Sequence, residues 1–141
     1  MDTSNKTSIT VEATVHASVE KVWDYWNKPE HITQWCHASD DWYAPRAEND
    51  LRTGGKFLTT MSAKDGSVSF DFDGIYTNVE QHKLIEYSIT DARKVKIEFS
   101  HEGTTTKVVE TFEAESIHPH EIQRSGWQAI LDNFKNYVES H

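Results

Sequence analysis

The chain has 141 residues and a formal net charge of -9, with 23 acids set against 14 bases. That length suits one domain with a real core, and the acid excess argues against nucleic acid or an anionic membrane surface as partner, since both demand a basic face. No apolar run approaches the roughly 18 residues of a spanning helix, and the polar start MDTSNKTS lacks the apolar stretch of a signal peptide. Cys36 is the sole cysteine, so no intramolecular disulfide forms, which fits a reducing cytoplasm, the expected location.

Taken in chain order, Ile9, Val11, Ala13 and Val15 alternate with polar residues and predict a half-buried strand. Ser18 is a candidate N-cap for a short helix bearing Val19, Val22, Trp23 and Trp26 at helical spacing. Pro29 suits the first turn of a second short helix, with Ile32, Trp35 and Cys36 on one side. Strands resume at Trp42. Gly54-Gly55 marks a turn before Phe57, Thr59 and Met61, and Asp65-Gly66 one before Val68, Phe70 and Phe72. That strand runs past Gly74, read as a bulge, to Tyr76. Ile85, Tyr87 and Ile89 follow, then the Asp91 to Arg93 turn, Val95, Ile97 and Phe99, the Glu102-Gly103 hairpin, and a strand from Thr106 to Ala114.

After Pro119, the stretch Glu121 to Val138 reads as one long amphipathic helix, its apolar stripe formed by Trp127, Ile130, Leu131, Phe134 and Val138. Gly126 inside it costs about 1 kcal/mol relative to alanine, so either something approaches the helix backbone closely or room is needed beside it. The order of strand, two helices, about six antiparallel strands and helix predicts an α+β fold in a single domain over 1–141, with an ordered core of about 8–139. A helix laid across a curved sheet without filling its concavity leaves a pocket.

This order resembles the helix-grip fold of the START-like (SRPBCC) superfamily, whose members include lipid-transfer domains, allergen-like binders and polyketide cyclases. More narrowly, several features are similar to the family named after the activator of the ninety-kilodalton heat-shock protein ATPase. They are Trp35 and Trp42; the D-x-R-x-G-G-x-F run at Asp50, Arg52, Gly54, Gly55 and Phe57; Gly74-Ile75-Tyr76; TFEAE from Thr111; and QRSGWQAILDNFKNY near the end. The resemblance spans about Ile9 to Val138. It implies an elongated hydrophobic cavity between sheet and last helix, and no single reaction, because the fold hosts binders and enzymes alike.

Among candidate site residues Glu110 comes first. A period of two puts it on the face of Val108 and Phe112, where a carboxyl among apolar groups acts as acid, base or ligand anchor. The opposing reading turns Val109 and Thr111 inward, or leaves Glu110 solvated at a bulge. Asp40 and His37 are the other proton-transfer candidates, in the segment Trp35 to Trp42 at the expected cavity mouth. Cys36 beside His37 lacks the geometry of a thiolate pair, so a helix-end cluster competes with catalysis there.

His118, His120 and Glu121, or His31, Cys36, His37 and Asp40, lack the paired spacing of a zinc site, so no metal and no cofactor is expected. Asp50 and Arg52, two apart on a strand, share a face and hold the Gly54-Gly55 turn by ion pairing; gripping a ligand carboxylate ranks second. Trp127 reads as cavity wall or as plain core.

Three functions remain open. The first is a small-molecule binder, with a lipid-like or aromatic ligand held among Trp35, Trp42, Phe57, Phe72, Tyr76, Tyr87, Glu110, Phe112, Trp127 and Ile130. The second is an enzyme of the cyclase or hydrolase kind using Glu110 or Asp40. The third is co-chaperone action on a heat-shock ATPase, implied by the resemblance alone; it ranks last because full-length activators carry a further N-terminal domain. A monomer or weak homodimer is expected.

Overall fold

The computed structural model describes residues 7–90 and 92–141. Asp91, placed by the sequence in a turn, lies outside the described residues. The elements run β1 (Ser8–Val15), α1 (Val19–Asn27), α2 (Pro29–Trp35), β2 (Trp42–Asn49), β3 (Lys56–Ala63), β4 (Ser69–Glu80), β5 (Leu84–Ile89), β6 (Lys94–Glu102), β7 (Thr105–Glu113) and α3 (His120–Ser140).

All strands join one curled antiparallel sheet in the order β1-β7-β6-β5-β4-β3-β2. From β3 to β7 each strand pairs with its predecessor, as hairpin connections require. Strands β1 and β2, consecutive in the chain, stand at opposite edges, and α1 and α2 carry the chain between them. The long helix α3 packs on β1, α1 and α2. The fold is α+β and helix-grip-like.

Local chemistry sets the boundaries. The Ser18 side chain accepts from the Lys21 backbone N–H at 3.2 Å and caps α1. Pro29 opens α2 directly after Lys28, so the helices meet at a sharp elbow. On β5, β6 and β7 burial alternates strictly: Ile85, Tyr87 and Ile89, then Val95, Ile97 and Phe99, then Thr106, Val108, Glu110 and Phe112 face the interior. Leu131, Phe134 and Val138 of α3 close over them and are fully buried. At one end Trp26, Trp35 and Phe134 pack with centroids 4.9–5.0 Å apart, a solid aromatic plug.

Three details differ from the sequence reading, and at Gly126 the structure chooses between its two alternatives. Asp50 and Arg52 sit in the turn between β2 and β3 rather than on a strand. Their ion pair does form, with Arg52 Nε 3.0 Å from Asp50 Oδ2, yet both side chains are more than half exposed. It is the backbone that holds this turn: Gly54 N–H donates to Tyr76 O at 2.8 Å and Tyr76 N–H to Gly55 O at 2.9 Å, with Gly54 at φ +87°. Gly74 is no bulge. It pairs in register with Phe57 and Ile89, and the irregularity falls between Tyr76 and Asn78 instead. Glycine is needed at 74 because a Cβ there would meet the Ser88 carbonyl and lie 3.0 Å from the Phe57 ring. At Gly126 nothing lies within 4 Å of a Cβ position, so nothing crowds this helix backbone and open space lies beside it. Finally, α3 begins at His120, one residue earlier than the periodicity suggested.

Candidate ligand cavity

The plug fills only one end of the concavity. Beside it a cavity of about 320 Å³ remains between α3 and the sheet. Phe57, Thr59 and Met61 of β3, with Phe72 and Tyr76 of β4, form its floor, and Ile85 and Tyr87 of β5 continue it. Gln123, Trp127 and Ile130, spaced four and three along α3, present one helix face to it. Trp26, Ile32, Trp35 and Cys36 close the helical end. Phe70 also lines it and is 48% exposed, which marks where the cavity meets solvent.

Trp127 defines the wall opposite β4. Its ring stacks on Phe112 at 4.0 Å and 9° and meets Phe72 edge-on at 6.0 Å. The indole therefore stands between Phe112 and the open volume, and Phe112, 1% exposed, supports the wall from behind without lining it. Trp42, too, stands off the cavity and packs its ring against Phe70 at 5.9 Å. The other eight aromatic, aliphatic and acidic residues named from the sequence meet on it: Trp35, Phe57, Phe72, Tyr76, Tyr87, Glu110, Trp127 and Ile130. Sequence reasoning put Thr59, Met61 and Ile85 on strands without assigning them to the site, although they share the inward phase of Phe57 and Tyr87. It also missed Gln123, one helical turn before Trp127.

Apart from Thr59 on the floor, the polar groups are placed at the margins or at one interior point. Gln123 is buried at the entry to α3, donating to Glu115 O at 3.0 Å and His118 O at 2.8 Å while accepting from the Glu115 N–H at 2.9 Å. These bonds tie the loop before the helix to its first turn. On the opposite rim Asn49 donates to Asn27 O at 2.7 Å and accepts from the Tyr76 hydroxyl. The interior point is Glu110, 6% exposed on β7 and the one buried carboxyl among the described residues. Burial alone pushes its pKa from 4.5 up to about 8; no described hydrogen bond or cation holds the charge. Burial and then the Glu110 charge push the Cys36 thiol up to about 12. The Tyr87 phenol is raised by the same two causes in the same order, and then by Tyr76 and Cys36. Carboxyl, thiol and phenol thus lie within electrostatic reach of one another.

This arrangement limits the chemistry. A thiol with a pKa that high carries almost no thiolate at neutral pH and is no nucleophile. His37 does not line the cavity. Its Nδ1 is buried without a partner among the described residues, and its pKa is lowered first by burial and then by Lys64, with Asp40 opposing. Asp40 is exposed in the turn before β2. Of the three proton-transfer candidates, then, only Glu110 lines the cavity. His31 bonds Tyr137 through Nδ1 at 2.7 Å and stacks on Tyr25, while His118 pairs with Glu115 at 2.7 Å. Among the described residues no three histidine, cysteine or acidic side chains converge as metal ligands, and no helix is long and apolar enough to cross a membrane.

A curled antiparallel sheet gripping one long helix over an internal cavity defines the helix-grip (SRPBCC) class. Residues 16–139 match the family described as Activator of Hsp90 ATPase homolog 1-like protein, and the chain belongs to that family. The solution structure of an AHSA1-like protein from Aeromonas hydrophila is similar at 44% identity and a TM-score of 0.90, over 95% of this chain and 93% of that one. A protein from Cytophaga hutchinsonii is similar at 59% identity and a TM-score of 0.82, over 94% and 92%. A Chromobacterium violaceum protein at 20% identity and a TM-score of 0.84, over 94% and 98%, shares the fold alone. No curated protein matches the chain.

Proposed function

We propose that this protein binds an apolar small molecule of lipid-like or aromatic character in the cavity beneath α3. One observation carries the reading: a partly enclosed space of about 320 Å³ is walled largely by aromatic and aliphatic side chains and holds a single buried carboxyl. Known ligand sites have this composition and begin at roughly this size. The helix supplies one wall and the sheet the other, so a guest buries apolar surface against both. Native mass spectrometry of the gently purified protein tests for a retained guest. Thermal shift with fatty acids, sterols and aromatic polyketides tests added ones, since a ligand specific to the folded state raises the melting temperature. An Ile130→Trp variant, whose larger ring projects into the void, is expected to abolish any shift. No retained guest and no shift across the panel would dismiss the reading.

One observation favours a second reading, proton-transfer catalysis of the cyclase or hydrolase kind. A carboxyl that titrates near pH 8 is matched to exchanging protons at neutral pH. Glu110→Gln is then expected to abolish turnover of any substrate found, and an unchanged rate would remove Glu110 from the chemistry. Co-chaperone action rests on the family name and on no feature of the cavity. Stimulation of a heat-shock ATPase by the purified chain is its test.

A further inference from the structure

Resting on the binding reading above, the geometry points to a more specific ligand class: an organic cation, an apolar or aromatic body bearing an amine, whose ammonium group is received by Glu110 among the aromatic walls. The charges around the cavity lean one way. Glu48, Glu110 and Glu115 line it, and among the described residues the sole base lining it is Arg93, which donates to the Glu113 carbonyl at the end of β7. Among the described residues no lysine lines the volume, so a ligand carboxylate finds no ammonium of theirs to meet it there. Glu48 is occupied by Arg46, and Glu115 by His118 and the backbone of its own loop. Glu110 alone is buried without such a partner.

The walls add a second attraction. The rings of Trp35, Phe57, Phe72, Tyr87 and Trp127 all border the same space as Glu110. Aromatic faces carry negative potential and attract ammonium groups, the more strongly once water is excluded. An acid in a ring-lined enclosure is the donor set that quaternary and protonated amines select. In the empty cavity burial keeps Glu110 protonated at neutral pH. An arriving ammonium favours the ionised form, because an opposite charge at contact offsets the desolvation that raised the pKa. The overall charge of -9 enriches cations near the mouth as well.

Three probes of one shape test this: 3-phenylpropylamine, 3-phenylpropan-1-ol and 3-phenylpropanoate, titrated calorimetrically at about pH 8, where an alkylamine is still cationic. The amine is expected to bind roughly tenfold tighter than the alcohol, the margin of a charge-assisted hydrogen bond over a neutral one, and the carboxylate weakest of all. In Glu110→Gln, its intact fold checked by an unchanged circular dichroism spectrum, the preference for amine over alcohol is expected to fall below about threefold. The proposal is overturned if alcohol or carboxylate binds as tightly as the amine, or if the amine preference survives the substitution; binding to the cavity stands in either case. Failure of all three probes to bind overturns the cavity reading itself.

Discussion

Glu110 makes the stability of this protein fall as pH rises from about 5 to 8, the opposite sense to a salt-bridged carboxylate's effect at lower pH. A carboxylate held by a salt bridge has a depressed pKa and stabilises the fold above it. Glu110 is the opposite case, titrating at about 8 when folded and near 4.5 when unfolded. Between those values the folded chain binds more protons than the unfolded one, so unfolding becomes easier as pH rises. The contribution is fully present below pH 4.5, drains away through the interval, and is gone above about pH 8. At about 1.4 kcal/mol per pH unit, the change from pH 5 to pH 8 is on the order of 3 kcal/mol once the rounding at the upper end is allowed for. That is a sizeable share of the roughly 5–15 kcal/mol of a typical domain. Glu110→Gln has nearly the same shape and no proton to lose. Urea unfolding of both proteins at pH 5, 6, 7 and 8 isolates this one group, because every other titration is common to the pair and cancels. The stability of the glutamate form minus that of the glutamine form is expected to fall by about 3 kcal/mol across the series. Parallel profiles within about 0.5 kcal/mol would refute the reasoning and mean that the carboxyl is solvated.

Three further outcomes follow from the packing. Gly126→Ala places a methyl in open space on a helix interior and is expected to stabilise by about 0.5–1 kcal/mol, a rise of roughly 2–4 °C in a thermal melt; a fall would reveal a close neighbour. Gly74→Ala drives a methyl against the Ser88 carbonyl and the Phe57 ring and is expected to cost about 1–3 kcal/mol in urea unfolding, whereas a neutral result would mean that β4 and β5 separate freely there. Cys36, with a pKa near 12, is expected to react with iodoacetamide at about pH 8 roughly a thousandfold more slowly than a free thiol until the chain is unfolded. Labelling of the native protein at the free-thiol rate would contradict its burial.

Much of the architecture was legible in the sequence because it is written in short-range periodicity. Alternation in Ile9 to Val15 and Val95 to Phe99, Ser18 and Pro29 at helix starts, and the stripe from Trp127 to Val138 each need only a few neighbouring residues. Even the inward turn of Glu110 follows from the period of two in β7, given that Val108 and Phe112 are buried. Other features depended on chain segments far apart. Trp35 reaches the cavity and Trp42 does not, because the turn before β2 carries Trp42 away toward Phe70. Phe112 shares the phase of Glu110, yet Trp127, from the last helix, lies over its ring. Gly74 looked like a bulge and is instead a close contact with β3 and β5, visible only once those strands are paired. The period of a sequence dictates which way a side chain points. Whether it then meets a ring, water or empty space is decided by what other elements bring to the same spot, and so the alternation fixed the walls while the tertiary packing of α3 against the sheet left the void between them.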